Sequence, residues 1–91
     1  MRGDAAVWDE RFEALLRARL TALGADEPLT PTTDLRSAGL DSLGTMELVV
    51  GIEDEFGVVV PDEALTYETF ATAGSVWAVV DRATGGAGGR S

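Results

Sequence analysis

The amino-acid sequence predicts an all-α protein, a small antiparallel four-helix bundle with three main helices, one short helix and a long first loop. Apolar residues recur at three- and four-residue steps in several segments of the chain, and this is the period of an amphipathic helix. The one run of β-type residues, Val58-Val59-Val60, is short, solitary and ended by Pro61, so it has no partner with which to form a sheet. At 91 residues without an internal repeat, the chain is long enough for one compact domain.

The first helix is predicted over residues 7–23, where an apolar stripe is followed by Gly24, a residue type that commonly ends helices. Arg19 falls inside this stripe. We expect its aliphatic stem to lie on the edge of the core while its charged head reaches water. The stripe consists of Trp8, Phe12, Leu15, Leu16, Leu20 and Leu23.

Residues 25–40 are predicted to form an ordered loop, because two prolines and a Thr-Thr-Asp cluster interrupt the helical pattern there. Three leucines are spaced along this otherwise largely polar segment. We expect them to anchor the loop on the bundle, and they are Leu29, Leu35 and Leu40.

The second helix is predicted over residues 42–56, since Asp41 is a favourable N-cap and Gly57 a favourable stop. At about 100° per residue, its apolar residues form two stripes on different sides. The first stripe suits the core and contains Leu48, Val49, Ile52 and Phe56, with Thr45 beside them. The second stripe lies among carboxylates, as a docking face would, and contains Leu43, Met46 and Val50 with Glu47, Glu53 and Asp54. A close backbone approach is expected on a third side, at Gly44 and Gly51.

Two further helical segments are predicted after the second helix. Residues 62–69 can hold a short helix or turn, and Thr72 is expected to cap a last helix that runs to about Arg82. The inward-facing residues of that last helix are predicted to be Val76, Trp77, Val79 and Val80. The folded domain is therefore expected to span residues 1–83, followed by a flexible, Gly-rich tail at residues 84–91.

The composition argues against catalysis. The chain has no His, Cys or Lys, which removes Ser-His-Asp and Cys-His catalysis, Schiff-base chemistry and ordinary zinc sites. We therefore predict neither an enzyme nor a metal site. No apolar run reaches the roughly 20 residues that a membrane-spanning helix needs, and neither cysteines nor a signal-like N-terminus suggest secretion. A monomeric, cytoplasmic protein without a membrane span is expected.

The charge distribution indicates what the partners look like. The net charge is −9, and no basic residue stands between Arg36 and Arg82, whereas nine carboxylates do. Nucleic-acid binding is not expected, because a phosphate backbone would be repelled. An acidic field instead steers basic partners towards the protein. Acidity that serves only solubility is the alternative explanation.

The tripeptide Asp41-Ser42-Leu43 is the most informative motif, because it places a serine at a capped helix start. Ser42 would open the helix beside unpaired backbone donors, and such a helix end favours a phosphate. By itself the tripeptide would also suit an ordinary Asp-capped helix. In its context it resembles the acyl carrier protein family, most specifically between Gly39 and Leu65. The flanking residues that carry this resemblance are Leu40, Glu47-Leu48, Glu53-Asp54-Glu55-Phe56 and Pro61-Asp62-Glu63.

The resemblance implies a carrier that holds intermediates as thioesters on a 4′-phosphopantetheine arm taken from coenzyme A. By position, it implies Ser42 as the attachment site and Asp41 as the acidic neighbour read by the phosphopantetheinyl transferase. Further implied partners are acyl- or aminoacyl-loading and condensing enzymes with basic docking patches. They would bind the second stripe, which comprises Leu43, Met46, Glu47, Val50, Glu53 and Asp54. An acyl-binding cavity between the second and third helices, where family members have one, would involve Leu48, Ile52 and Val60.

Two departures from the family pattern concern the pathway. Gly44 stands where fatty-acid carriers often have an acidic residue, and lysine is absent. Within a polyketide, fatty-acid or related secondary-metabolite pathway, this favours a specialised carrier over the housekeeping fatty-acid one. A free-standing peptidyl or aminoacyl carrier of a nonribosomal peptide pathway stays open, because it shares the fold and the serine. An acidic helical adaptor without a prosthetic group is the third hypothesis, although an adaptor would not need Asp41-Ser42 at a loop-helix junction.

Overall fold

The computed structural model describes residues 8–85 and contains three α-helices. They are α1 (Glu10–Arg19), α2 (Ser42–Phe56) and α3 (Ala73–Ala83), and a 3₁₀ helix at Asp62–Ala64 precedes α3. No β-strand occurs among the described residues, so the predicted all-α class is confirmed. The count of four helices is not confirmed, because the fourth predicted element amounts to three residues of 3₁₀ helix.

The first helix ends four residues earlier than predicted, at Arg19. Just beyond it, the Ala22 N–H donates to the carbonyl of Ala38 in the first loop, with an N···O distance of 2.8 Å. That donor is then no longer available to the helical carbonyl four residues back, so the loop terminates the helix. Leu20 nevertheless remains buried, which means that its place in the predicted stripe was right although its helical conformation was wrong.

Side-chain caps set the starts of α1 and α3. The Asp9 carboxylate accepts a hydrogen bond from the Arg11 N–H at 2.8 Å, so α1 begins at Glu10 rather than at residue 7, which lies outside the described residues. At α3, the predicted cap is confirmed. Thr72 and Ser75 form a capping box in which each side chain accepts from the backbone N–H of the other, at 3.2 and 3.3 Å.

The first loop is fixed against the start of α3. Its predicted anchors are buried, namely Leu29, Leu35 and Leu40. The Leu35 N–H donates to the Ala71 carbonyl at 3.0 Å, and the Gly74 N–H donates to the Pro31 carbonyl at 2.9 Å. A Cβ atom at Gly74 would lie only 2.9 Å from the Pro31 oxygen, so this close approach needs glycine. The loop that leads to α2 is therefore held by the far end of the chain.

The buried stripe of α2 is the one predicted. Its fully buried members are Leu48, Val49 and Ile52, and Phe56 is half-buried. A close backbone approach is not seen at Gly51, because the nearest atom to an added Cβ there is the side-chain Cδ2 atom of Leu15 of α1, at 3.1 Å. Within the same core, Phe12 contacts Trp8 and Trp77 with ring-centroid distances of 5.3 and 5.1 Å. From α3, Val76 and Val80 are buried whereas Trp77 and Val79 are half-buried.

The segment after α2 stays extended without pairing. Gly57 ends the helix in the left-handed conformation, with φ = 65°, as predicted. The Val60 side chain is buried, and its N–H donates to the Glu53 carboxylate at 2.8 Å. A side chain thus satisfies the donor that a strand would have paired.

No helix within residues 8–85 is long and apolar enough to cross a membrane. Thr84 and Gly85 follow α3 as a turn. The rest of the predicted tail, residues 86–91, lies outside the described residues, so a domain boundary at residue 83 stays a prediction.

Candidate functional site

Ser42 is the first residue of α2 and is exposed. The Asp41 carboxylate accepts a hydrogen bond from the Gly44 N–H at 2.7 Å, and the Asp41 carbonyl accepts from both the N–H and the hydroxyl of Thr45, each at 2.8 Å. These bonds account for the third and fourth N–H groups of the helix. Within the described residues, the N–H groups of Ser42 and Leu43 have no acceptor, so a helix start with two free donors surrounds the serine hydroxyl.

The chain segment that leads to Ser42 crosses closely over the residues that follow α1. Gly39 has φ = 107°, and a Cβ atom there would lie 2.7 Å from the Thr21 Oγ1 atom and 2.8 Å from the Ala22 nitrogen. Leu40 is buried, and its N–H donates to the Leu35 carbonyl at 2.9 Å. Burying Leu40 fixes the chain two residues before the serine and leaves Ser42 outside the core.

An open groove lies beside Ser42. The first loop and the start of α2 form one wall, and the segment from Leu65 to Ala71 forms the other. Apolar lining comes from Met46, Leu65 and Phe70. At the rim, the Arg36 guanidinium lies over the Tyr67 ring, 5.2 Å from its centroid, and so joins the two walls. Ser42 itself lines this groove, so a substituent attached to the serine would start within it.

The sequence did not single out Arg36, Tyr67 or Phe70 as site residues. Arg36 entered only as the border of the acidic stretch, although it stands six residues before Ser42 and is the nearest basic residue in the sequence. Tyr67 and Phe70 belong to a segment whose position depends on long-range contacts with the first loop, such as the Leu35–Ala71 hydrogen bond. No local pattern predicts that placement.

The apolar part of the predicted docking face is exposed. Leu43, Met46 and Val50 have 69%, 54% and 62% of their surface exposed, although each is a large hydrophobic residue. Such residues on one side of a helix are typical of an interaction surface. Because Val50 is exposed, neither the first loop nor the last helix covers it.

The three carboxylates of this face differ from one another. Glu47 forms an ion pair with Arg19, at 2.5 Å between Oε1 and Nη1, and Glu53 holds the Val60 N–H. Asp54 is exposed and makes no hydrogen bond or ion pair within residues 8–85. Arg19 behaves as expected in carrying its head group to the surface, but its partnership with Glu47 was not predicted.

The sequence supplies no imidazole or thiolate to activate Ser42. The described residues contain no cluster of three or more acidic, His or Cys side chains that could hold a metal ion. What the structure offers is an exposed hydroxyl at a helix start and a groove beside it. The residues Leu48, Ile52 and Val60, considered above for an acyl cavity, are packed in the core.

An exposed serine at a capped helix start, beside an open groove, is the arrangement expected from the resemblance to carrier proteins. Comparison with protein families agrees, since the family described as phosphopantetheine attachment site matches residues 13–78, which is most of the chain and includes Ser42. This chain therefore belongs to the phosphopantetheine-binding, acyl carrier protein family. Members of this family are carriers rather than catalysts, and their prosthetic group is 4′-phosphopantetheine.

One relative among curated proteins is the mitochondrial acyl carrier protein of Dictyostelium discoideum. It is 49% identical to this chain over 35 residues, which is 38% of this chain and 29% of that protein. The chain thus matches less than a third of the length of this relative.

Proposed function

We propose that Ser42 carries the 4′-phosphopantetheine arm and that the protein presents acyl intermediates to partner enzymes as thioesters on that arm. The observation that carries this proposal is the exposed Ser42 hydroxyl at the first residue of α2, at the mouth of the groove. When bound, the group supplies a terminal thiol for the thioester. The residues present fit a phosphodiester, because the free N–H groups of Ser42 and Leu43 point from a helix start.

Asp41 has two proposed roles in this function. As the N-cap, it fixes the backbone on which Ser42 stands, through its hydrogen bond to the Gly44 N–H. As an exposed neighbour of the serine, it is also the residue that we expect the phosphopantetheinyl transferase to recognise. The first role affects stability and the second affects the rate of modification, so the two are separable by experiment.

The intact mass of the protein tests the attachment site directly. Incubation with coenzyme A, Mg²⁺ and a broad-specificity phosphopantetheinyl transferase should add one phosphopantetheine to the wild type and none to Ser42→Ala. Ser37→Ala is a matched control, because Ser37 is an exposed serine in the loop that leads to α2, and it should be modified as the wild type is. Mass gain in Ser42→Ala would refute the assignment.

We propose that partner enzymes with basic patches dock on the face formed by Leu43, Met46, Val50, Glu47, Glu53 and Asp54. Among its carboxylates, Asp54 is the cleanest probe, because Glu47 and Glu53 also hold the protein's own groups. Asp54→Lys should slow association with the transferase, and more so at low salt, since exposed charges act mainly on association rate. Asp26→Lys, which makes the same charge change in the exposed first loop, should have a smaller effect. Equal association rates for the two variants would contradict this face.

For the pathway, we propose a polyketide, fatty-acid or related secondary-metabolite route, with a nonribosomal peptide route as the alternative. The absence of lysine supports a specialised carrier. Gly44 is weaker support than its sequence position suggested, because a Cβ atom there would lie 3.1 Å from an Asp41 Oδ1 atom and 3.3 Å from a Leu40 Cδ1 atom. Local packing alone therefore favours glycine. Offering the modified protein to an acyl-loading and to an aminoacyl-loading enzyme, with the thioester product read by mass, separates the two routes.

We also propose a cytoplasmic, monomeric protein, supported by the lack of cysteine and by the high net negative charge. The mitochondrial location of the Dictyostelium relative makes an organelle the alternative. Cell fractionation and the molar mass in solution test the two parts of this proposal.

A further inference from the structure

Arg36 differs from the three arginines of α1. Arg11, Arg17 and Arg19 each form an ion pair with a carboxylate. Within residues 8–85, Arg36 and Arg82 form none. In a chain with 16 carboxylates and seven basic residues, an arginine without a carboxylate partner beside the candidate attachment site calls for a physical reason.

The Arg36 backbone is fixed six residues before Ser42, and both residues line the same groove. Its N–H donates to the Asp34 carboxylate at 3.0 Å, and its carbonyl accepts from the Gly39 N–H at 3.0 Å. Its guanidinium lies over Tyr67, whose side chain is 82% exposed, so the pair stands at the rim of the groove that Ser42 also lines. The Tyr67 ring covers one face of the guanidinium and uses none of its in-plane N–H donors, which stay available for hydrogen bonds.

Arg36 places a positive charge in a groove that is otherwise lined by negative charges. Asp34, Asp41 and Glu68 contribute three carboxylates to it, and Arg36 contributes the one cation. A phosphodiester on Ser42 adds another negative charge next to Asp41. Like charges so close are unfavourable, and a guanidinium is the side chain best suited to bind phosphate oxygens, through parallel N–H···O bonds.

We propose that Arg36 binds the phosphodiester of the prosthetic group on Ser42, while Tyr67 holds the guanidinium in position. This inference rests on the proposed attachment at Ser42. It makes Arg36 a binding residue for the arm and assigns a function to the contact between the two walls of the groove. A purely structural contact would stabilise the unmodified and the modified protein equally, whereas phosphate binding acts only after modification.

The experiment compares wild type, Arg36→Gln and Arg82→Gln, each with and without the prosthetic group. Arg82→Gln is the matched control, because it removes the same charge from the other arginine without an ion pair, in the last turn of α3. We expect the ³¹P resonance of the phosphodiester to shift in Arg36→Gln and not in Arg82→Gln. We also expect the Tm difference between modified and unmodified protein to fall by roughly 1–5 °C in Arg36→Gln, the size of one exposed ion pair in a domain of this length.

The outcomes separate this inference from the proposed function. If the wild type gains no mass at Ser42, both are overturned. If it gains mass but Arg36→Gln has the wild-type ³¹P resonance and the same Tm difference, only the role of Arg36 is overturned. If Arg36→Gln lowers the Tm of both forms equally and leaves the resonance in place, the Arg36–Tyr67 contact is structural. Arg36→Lys should fall between wild type and Arg36→Gln, because lysine keeps the charge without the paired donors.

Discussion

The start of α2 and the end of α1 face each other across the first loop, yet they are determined in different ways. At the start of α2, Asp41 bonds the Gly44 N–H three residues away. At the end of α1, the helix stops where Ala22 bonds Ala38, sixteen residues away. The first boundary was predicted to the residue, and the second was missed by four residues. A side chain within one turn sets the boundary that was predicted, and a distant backbone carbonyl sets the one that was missed. A local cap does not guarantee the prediction, since α1 begins after its Asp9 cap and not at residue 7.

The comparison is tested most strongly by Leu20, which lies just beyond the end of α1 and is 1% exposed. If tertiary contacts rather than the helix hold this region, Leu20→Ala should lower the free energy of unfolding by about 2–5 kcal/mol. Leu43→Ala, an identical change on the exposed side of α2, should alter it by no more than about 0.5 kcal/mol. Urea unfolding measures both. Similar losses for the two variants would contradict the assigned burial.

A second test compares two glycines with positive φ, one at each kind of boundary. Gly39→Ala should destabilise by about 2–4 kcal/mol, because strain at φ = 107° adds to a clash with the Thr21 and Ala22 atoms. Gly57→Ala, at φ = 65° with no atom within 4 Å of the added Cβ, should cost only about 1–2 kcal/mol. Chemical denaturation of both variants gives the difference. A Gly57→Ala variant as unstable as Gly39→Ala would show that the tight crossing over α1 is not what requires glycine.

Removing the Asp41 cap at the start of α2 is expected to change stability less than the substitutions above. Asp41→Ala removes the cap of Gly44 and should cost about 1 kcal/mol. Asp41→Asn keeps a capping oxygen and should retain most of the stability. If the transferase recognises the charge of Asp41, however, Asp41→Asn should still be modified more slowly than wild type. Equal modification rates, measured by intact mass over time, would leave Asp41 with its capping role alone.

The smallest expected effect is the dependence of stability on pH. We compare it between the cap of α1, which is a carboxylate, and the cap of α3, which is a hydroxyl. Hydrogen bonds from Arg11, first from its guanidinium and then from its N–H, lower the pKa of Asp9, and the hydrogen bond from the Trp8 indole, followed by Arg17, lowers the pKa of Glu13. Because both pKa values are lower in the folded state, the two carboxylates stabilise the fold fully at any pH above their unfolded pKa of about 4. This stabilisation is lost as the pH falls further, through the folded values.

Thermal melts between about pH 3 and 7 test this, with the acid limb below about pH 4 as the readout. Asp9→Asn keeps a capping oxygen but cannot ionise, so its Tm should fall less on acidification than that of the wild type. Thr72→Ser is the control, because the capping box of α3 uses hydroxyl groups that do not titrate in this range. An acid limb of equal depth in wild type and Asp9→Asn would contradict the role of that carboxylate.

The docking face shows the limit of reasoning from one helix. Helical geometry at 100° per residue predicted that Leu43, Met46 and Val50 share an exposed side, and all three are exposed. It could not predict that Arg19 and the Val60 N–H would engage two of the neighbouring carboxylates. Both partners come from other elements, and their positions depend on packing rather than on the period of α2.

The sequence by itself determined the all-α class, α2 with both of its ends, the capped start of α3, and the placement of Ser42 at a helix N-terminus. These features follow from helical period and from side chains that bond within one turn, which are local properties. The tertiary structure alone decided where α1 ends, how the groove beside Ser42 is closed by the segment from Leu65 to Ala71, and which charges are paired. Those features join residues far apart in the chain, and only the burial of Leu35, Leu40 and the rest of the core brings them together.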